Sequence, residues 1–282
     1  MALSYFPGCS LHSTAQEYDA STRAVCQALG LELRELEDWN CCGSTSAHSL
    51  DTELAQLLPL RNLEIAEAAG LDLMVPCAAC YCRSKTADHD FRQGAVAAPT
   101  TYTGGVQIKH ILDVLADDEV VPDIARRITR PLTGLKAVCY YGCLTVRPPK
   151  VTGSRNWEDP QSMDRLVQVT GATALPWSYK TDCCGASLTL TRADVVVRLV
   201  DRLVTMAEEA GADCIVVACS MCHANLDGRQ QEAAAELGRS HRMPVLYISE
   251  LLGLAMGLPE ARQWWGKHLT DPVGVLGVRG LA

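Results

Sequence analysis

Ten of the fourteen cysteines follow one spacing pattern that occurs twice in the chain. In the first copy, 31 residues separate a single cysteine from a vicinal pair, and 34 more separate that pair from a C-x2-C motif. The second copy has separations of 39 and 34 residues. The two sets are Cys9, Cys41, Cys42, Cys77 and Cys80, and Cys143, Cys183, Cys184, Cys219 and Cys222. Because five thiols recur at matching spacing, each set is predicted to bind a metal ion or a metal cluster.

The number of thiols in each set bears on which metal group it holds. A structural zinc ion takes four ligands in a closed tetrahedron, so five cysteines are one too many for a single zinc. Thiolates also hold iron–sulfur clusters, where a fifth cysteine can serve as a bridging ligand. A vicinal pair in a strand would point to opposite faces. Gly43 and Gly185, which follow the two pairs, predict tight turns on which both sulfurs converge.

The composition is that of a globular protein, with 48% hydrophobic and 21% charged residues among 282. A net charge of -8 argues against a general binder of nucleic acid or anionic membranes. The sequence MALSYFPGCS has no basic segment before an apolar one, so we expect no signal peptide. We also expect no transmembrane span and a cytoplasmic location, where dense cysteine favours metal or redox chemistry over structural disulfides.

Short apolar segments and helical patterns alternate along the chain. Apolar segments precede the lone cysteine and the C-x2-C motif of each set, and helices are predicted over 14–29, 51–69 and 192–210. This alternation predicts an α/β fold with two similar domains, 1–128 and 129–282, each with a small parallel sheet and related by a pseudo-twofold axis. The cysteines would then lie at the carboxyl ends of strands, where open α/β sheets place functional groups.

Several other residues are candidates for accessory roles. His12 and His223 follow cysteines of the two sets and could donate hydrogen bonds to a cluster or substrate, or could be loop histidines. Arg147 and Lys180 could supply positive potential for an anionic thiol substrate, or could be solvated surface residues. The remaining cysteines are expected to be structural bystanders, namely Cys26, Cys82, Cys139 and Cys214.

The chain contains no dinucleotide or P-loop fingerprint. Electrons for any redox reaction must therefore come from, or pass to, another protein.

The motifs around the cysteines resemble those of the B subunit of heterodisulfide reductase, a family with two cysteine-rich CCG domains. The resemblance covers nearly the whole chain. It is carried by GCSLH at 8–12, the pair Cys80-Tyr81, YYGCLTVRPP at 140–149, DPQSMDRLV at 159–167 and YISELLGLA at 247–255. Two features, Gly43 and the pair Ala78-Ala79, depart from the methanogenic members. They favour a bacterial heterodisulfide-reductase-like form over an enzyme for the coenzyme M–coenzyme B heterodisulfide.

The resemblance implies that each five-cysteine set binds a noncubane [4Fe-4S] cluster. It implies an oxidoreductase subunit that makes or breaks a disulfide or persulfide bond between the two clusters. The implied partners are a C-type [4Fe-4S] ferredoxin-like subunit, an A-type flavoprotein subunit, and a thiol or disulfide that is a small molecule or a protein-bound sulfur carrier. No nucleic-acid partner is expected.

Two other functions stay open at this point. One is a non-catalytic interaction or anchor subunit stabilised by a cluster or by zinc in one domain. The other is an iron–sulfur subunit of a glycolate or lactate oxidase or of a fumarate reductase.

Overall fold

The computed structural model describes residues 1–44, 46–96 and 99–281. Over these ranges the chain forms two parallel four-stranded sheets flanked by helices. The predicted fold class is therefore confirmed. The predicted boundary between 128 and 129 falls in the connection between the last helix of the first half and the first strand of the second.

The elements of the first half, in chain order, are β1 (Ala2–Tyr5), α1 (Gly8–His12), α2 (Gln16–Ala28), β2 (Glu32–Glu35), α3 (Ser46–Leu50), α4 (Thr52–Ala69), β3 (Leu73–Val75), α5 (Ala78–Arg92), β4 (Ile108–His110), α6 (Ile111–Leu115) and α7 (Val121–Arg127). The elements of the second half are β5 (Lys136–Tyr140), α8 (Pro149–Thr152), α9 (Ser162–Val169), β6 (Thr173–Ala174), α10 (Ala193–Glu209), β7 (Cys214–Val217), α11 (Ser220–Gly228), α12 (Gln230–Leu237), β8 (Val245–Tyr247), α13 (Ile248–Met256), α14 (Ala261–Trp264) and α15 (Val273–Val278).

Both sheets have the same strand order, β2-β1-β3-β4 in the first half and β6-β5-β7-β8 in the second. All pairings are parallel, with Leu3 opposite Leu33 and Val138 opposite Ile215. The central strands β3 and β7 are buried along their whole length, as parallel strands covered on both faces require. The two halves therefore repeat one topology, and equivalent strand ends lie at equivalent places.

The long helix of the first half begins and ends where the local sequence provides a signal. The Asp51 side chain accepts a hydrogen bond from Leu54 N and caps the start of α4. Gly70 ends that helix in the left-handed conformation, with φ of 68°. In the second half, α10 starts without a side-chain cap, and its apolar face buries Val196, Val200 and other residues. Each helix packs against the glycine that follows a vicinal pair, α4 through Leu58 at Gly43 and α10 through Val196 at Gly185.

The halves share one continuous core because helices pack across the boundary between them. Helix α2 of the first half packs on α13 of the second, and α9 of the second packs on α6 of the first. At the first of these contacts, the rings of Tyr18 and Tyr247 stack with centroids 4.0 Å apart. The hydroxyls of Ser21 and Ser249 hydrogen-bond at 2.7 Å. Among the described residues, no helix combines the length and apolar character needed to cross a bilayer.

Candidate functional site

The structure brings each five-cysteine set together at the carboxyl edge of its sheet. Cys9 lies in α1 just after β1, and Cys77 is the residue immediately before α5, just after β3. In the second half, Cys143 follows β5, and Cys219 is the residue immediately before α11, after β7. The C-x2-C motif places its second sulfur one helical turn further along, at Cys80 and Cys222 respectively. Each set therefore draws its thiols from three chain segments.

The vicinal cysteines occupy the tight turns that the sequence predicts. Gly43 and Gly185 have φ of 70° and 78°, a backbone region that only glycine adopts readily. Their amides donate to the first sulfur of each pair, at 3.4 Å to Cys41 Sγ and 3.3 Å to Cys183 Sγ. Hydrogen bonds from neighbouring thiols, led by Cys42 in the first half, lower the pKa of Cys41 and of Cys183, and these amides reinforce the effect. Together these hydrogen bonds favour the thiolate form of Cys41 and Cys183.

Within each set the sulfurs meet in pairs. Cys9 and Cys41 have sulfurs 3.9 Å apart, and the sulfurs of Cys42 and Cys80 are 3.3 Å apart. In the second half, the sulfurs of Cys184 and Cys222 are 3.7 Å apart, and Cys143 hydrogen-bonds Cys183. All fourteen thiols are free. Over the described ranges, no three His, Cys, Asp or Glu side chains are grouped so that they could hold one metal ion.

Two further glycines lie close to the last cysteine of each set. A Cβ atom on Gly8 would lie 2.8 Å from Cys80 Sγ, and one on Gly142 would lie 2.9 Å from Cys222 Sγ. Both glycines have positive φ, at 73° and 69°. In each half, the last cysteine sulfur therefore lies where the side chain of any larger residue would be. These two positions are equivalent in the repeat.

The two thiol sets meet at the boundary between the halves. Cys77 and Cys219 are buried there and hydrogen-bond to each other, and Ser220 donates to Cys77 Sγ at 3.5 Å. Hydrogen bonds from Cys219 and then from Cys80 hold the pKa of Cys77 well below its ordinary value. Cys9, Cys41 and Cys183, by contrast, are exposed. The combined site is therefore dry at its centre and open to solvent at its outer edges.

His110 connects the two strand ends that carry the central cysteines. Its Nε2 lies 3.0 Å from Pro76 O and 3.1 Å from Ala218 O, the carbonyls immediately before Cys77 and Cys219. Since both partners are acceptors, Nε2 carries the proton. Burial lowers the pKa of His110, which keeps the ring neutral. This bridging role could not be predicted from the sequence, because no neighbouring residue indicates that a histidine after β4 contacts a carbonyl of the second half.

The two histidines predicted as accessory residues have protein partners. The half-exposed His12 ring lies 2.9 Å from Glu35 and packs edge-on against Trp39. His223 is buried, stacks on Tyr247 and lies 3.0 Å from Val245 O. Burial lowers the pKa of His223 to about 3. These contacts orient both rings, and a role toward a cluster or substrate stays a prediction.

The two basic candidates are also engaged. The guanidinium of Arg147 donates to Thr181 Oγ1 at 3.2 Å and lies over the Trp157 ring. The Lys180 ammonium is buried, 2.8 Å from Asp159 and 2.9 Å from Asp164. Its charge is thus already paired, and the expected role with an anionic substrate gains no support from this placement. Two carboxylates compensate the cost of burying it.

The four remaining cysteines lie apart from the paired sulfurs. Cys26, Cys139 and Cys214 are buried in α2, β5 and β7, and burial raises the pKa of each thiol. Cys82 directs its sulfur to Arg147 O in the other half, 3.6 Å away. The bystander role of these four thiols stays a prediction.

A family model described as "CCG: Cysteine-rich domain" matches the chain twice, over residues 3–83 and 137–227. These stretches contain all ten cysteines of the two sets and together make up more than half of the chain. The chain belongs to the CCG cysteine-rich domain family and carries the domain in tandem.

Related proteins that align with most of the chain narrow its assignment within the family. The chain is 30% identical to the 8-methylmenaquinol:fumarate reductase membrane anchor subunit of Wolinella succinogenes, over 95% of this chain and 96% of that protein. It is 29% identical to the B subunit of the ferredoxin/F(420)H(2)-dependent CoB-CoM heterodisulfide reductase of Methanosarcina acetivorans, over 90% and 89%. The resemblance to the B subunits of heterodisulfide reductases is thereby confirmed.

A solved structure shares the fold. A hypothetical protein from Helicobacter pylori superposes with a TM-score of 0.75 at 14% identity, over 96% of this chain. The chain spans about half of that longer protein, 52% of its length. At this identity, the match concerns the fold alone.

Proposed function

We propose that this protein is the catalytic iron–sulfur subunit of a heterodisulfide-reductase-like complex. In this proposal each half, 1–128 and 129–282, holds one noncubane [4Fe-4S] cluster, and a disulfide or persulfide bond is made or broken between them. The observation that carries the proposal is the meeting of two complete five-thiol sets at one buried boundary, where Cys77 hydrogen-bonds Cys219.

The donor set fits a polynuclear iron group. Only sulfur is offered in each half, and thiolate sulfur is the ligand that iron–sulfur clusters take. Gly8 and Gly142 let the sulfurs of Cys80 and Cys222 lie close to the backbone, and the amides of the vicinal turns face sulfur. The proposed ligands of the first cluster are Cys9, Cys41, Cys42, Cys77 and Cys80. Those of the second are Cys143, Cys183, Cys184, Cys219 and Cys222.

Bound clusters would supply one-electron steps and iron sites with affinity for sulfur. Reducing a disulfide consumes two electrons and two protons, breaks one S–S bond and forms two S–H bonds. The reverse reaction releases the same electrons and protons. The chain's own residues bury the centre of the site, where Cys77 and Cys219 exclude water, and keep the strand ends in place through His110. The exposed outer edge at Cys41 and Cys183 gives electrons and protons a short path to solvent or a partner.

The partners follow from what the chain lacks. Its sequence has no flavin or dinucleotide motif, so the two electrons must be exchanged with another protein. We propose that the exchange occurs with a C-type [4Fe-4S] ferredoxin-like subunit, which in turn contacts an A-type flavoprotein subunit. The substrate is proposed to be a thiol or disulfide, either small or carried on a protein.

Metal analysis of the chain purified without oxygen tests the proposal. We expect about eight iron atoms per chain and no zinc, the content of two four-iron clusters. Cys42→Ser is expected to remove the iron of the first half alone, and Cys184→Ser, the matched variant, that of the second. Oxidation in the presence of thiols should change the EPR spectrum. One or two zinc ions in place of iron, or unchanged iron in both variants, would contradict the proposal.

A second candidate function rests on the relative from Wolinella succinogenes. Its name describes a membrane anchor subunit of a fumarate reductase that uses 8-methylmenaquinol, and the alignment covers almost all of both chains. The same thiol sets could then pass electrons between a quinol and a flavoprotein partner. Reduction of the loaded protein by a menaquinol analogue, with no spectral response to thiols or disulfides, would favour this function over the first.

A further inference from the structure

The two C-x2-C motifs differ at the residue that follows their first cysteine. The first motif is Cys77-Ala78-Ala79-Cys80, and the second has Ser220 at the position of Ala78. Cys77 and Cys219 occupy the same place in the fold, at the start of α5 and of α11. Any interaction made by Ser220 therefore has no counterpart from Ala78. The repeat is asymmetric at the point where its halves meet.

Ser220 uses its hydroxyl across the boundary between the halves. Its Oγ lies 3.5 Å from Cys77 Sγ, at a distance suited to an O–H donor and a sulfur acceptor. Both residues are almost completely buried, at 3% and 2% exposed, so water does not compete for this hydrogen bond. The His110 bridge to Pro76 O and Ala218 O holds the two backbones that carry the pair.

We infer that Ser220 is a positioning residue that makes the two metal centres unequal, so that the centre of the first half accepts an electron before that of the second. The inference rests on the proposed function, because it requires a cluster on Cys77. A hydrogen bond to a ligand sulfur stabilises negative charge on that sulfur. Reduction adds one negative charge to the centre, so the hydrogen bond strengthens in the reduced state and raises the reduction potential.

The order in which the two centres would be reduced affects how electrons reach a disulfide. Each centre would take one electron, and the two together supply the pair that one disulfide consumes. With clusters bound, the Ser220 hydrogen bond to Cys77 would favour reduction of the first half before the second. A purely structural role for Ser220 would change stability and leave the potentials of the two centres where they are.

Redox titration of single-centre variants tests the inference. Cys184→Ser is used to isolate the centre of the first half, and Cys42→Ser that of the second. Each is titrated without oxygen against redox mediators and followed by EPR. Adding Ser220→Ala to the first is expected to raise the ratio of oxidised to reduced centre about tenfold at a fixed potential, a shift of about 59 mV to lower potential for one electron. Adding it to the second is expected to change nothing.

Matched variants separate this effect from the loss of a buried hydroxyl. Ser4 is 1% exposed and, within the described residues, its hydroxyl has no hydrogen-bond partner. Ser4→Ala should therefore leave both potentials unchanged, while Ser220→Thr, which keeps a hydroxyl, should restore the potential of the first centre. If a single-centre variant fails to fold, the full protein with and without Ser220→Ala gives the same test through its two reduction steps.

The outcomes are distinct. An unchanged first potential, or equal shifts in both centres, overturns the inference while iron content still supports the proposed function. Chains without iron overturn both.

Discussion

At the scale of single residues, each thiol set depends on its glycines as much as on its cysteines. Gly43 and Gly185 provide the positive φ of the vicinal turns and the amides that face Cys41 and Cys183. Gly8 acts differently, because its missing side chain leaves room for the sulfur of Cys80. The observed arrangement of the thiols therefore requires backbone positions that accept no side chain.

Gly8→Ala is expected to impair the first metal centre. The new Cβ would lie 2.8 Å from Cys80 Sγ, so the sulfur would have to move away from its place in the set. The positive φ adds a strain of about 1–2 kcal/mol for a residue other than glycine. We expect iron content after anaerobic purification to fall by up to half, with the second half unaffected.

Gly30→Ala is the matched control for this variant. Gly30 has φ of 71°, nearly that of Gly8, but a Cβ there would meet no atom within 4 Å. It should therefore lose similar stability and keep its iron. Equal iron in the two variants would show that the contact with Cys80 is unimportant.

Only some of these glycine positions can be predicted from the sequence. Gly43 and Gly185 could be predicted because each directly follows a vicinal pair. The need for glycine at Gly8 could not, because it arises from a helix that approaches from about 70 residues away in the chain. Lys180 shows the same limit, since only the fold brings Asp159 and Asp164 around its ammonium.

At the scale of elements, the sequence predicts most of what places the thiols. The helix expected over 51–69 is α4 at Thr52–Ala69, and that over 192–210 is α10 at Ala193–Glu209. These are long and clearly bounded, by Asp51 and Gly70 in the first case. The strand β6 has only two residues, Thr173–Ala174, too few for an alternating pattern to be detected. Its position follows from the repeat.

An ion pair outside the two five-cysteine sets holds the segment before β8 on α10, and it should respond to pH. The nitrogens of His241 lie 3.0 Å from Asp201 and 3.1 Å from Glu208, and Arg239 also contacts Asp201. Burial disfavours the imidazolium, but the hydrogen bonds with these carboxylates prevail and raise the pKa of His241. A raised pKa in the folded state stabilises the protein below the unfolded value of about 6.5. This contribution is lost as the pH rises through the folded pKa.

The prediction is tested by comparing the native chain with His241→Gln. The difference in their free energies of unfolding should be largest near pH 6 and should shrink toward pH 9, measured by denaturant titration under reducing conditions. Comparing two chains cancels the titration of the thiols, which both contain. A difference that is constant over this range, or that grows with pH, would show that the carboxylates do not raise the pKa of His241 in the folded protein.

At the scale of the whole molecule, the halves are joined by helices of one half that pack on helices of the other, and not by the linker alone. Helix α2 packs on α13 and α9 packs on α6, so each half covers an apolar face of the other. The sequence predicts the repeat but not this packing, because the apolar face of a helix does not reveal which neighbour buries it. The Ser220–Cys77 contact and the His110 bridge depend on it, and neither could be predicted.

His110→Ala should therefore damage both metal centres at once, unlike Cys42→Ser or Gly8→Ala, which affect one. The substitution leaves the carbonyls of Pro76 and Ala218 without their shared donor at a buried place, which costs about 1–3 kcal/mol for each unsatisfied group. Tyr18 still donates to Pro76 O, so the loss is greater at Ala218. Iron should decline in both halves, and both EPR signals should broaden.

Asp113→Ala separates the bridge from the fold around it. The Asp113 carboxylate accepts from His110 N at 2.8 Å and caps α6, so its loss should cost about 1 kcal/mol, as for other helix caps, and leave the bridge in place. We expect this variant to lower the melting temperature slightly and to keep all of its iron. Should both variants retain full iron and unaltered spectra, the strand ends are held by the helix packing alone. Cys77 and Cys219 directly follow the two bridged carbonyls. If only His110→Ala loses iron, this one side chain holds the two central thiols in their relative positions.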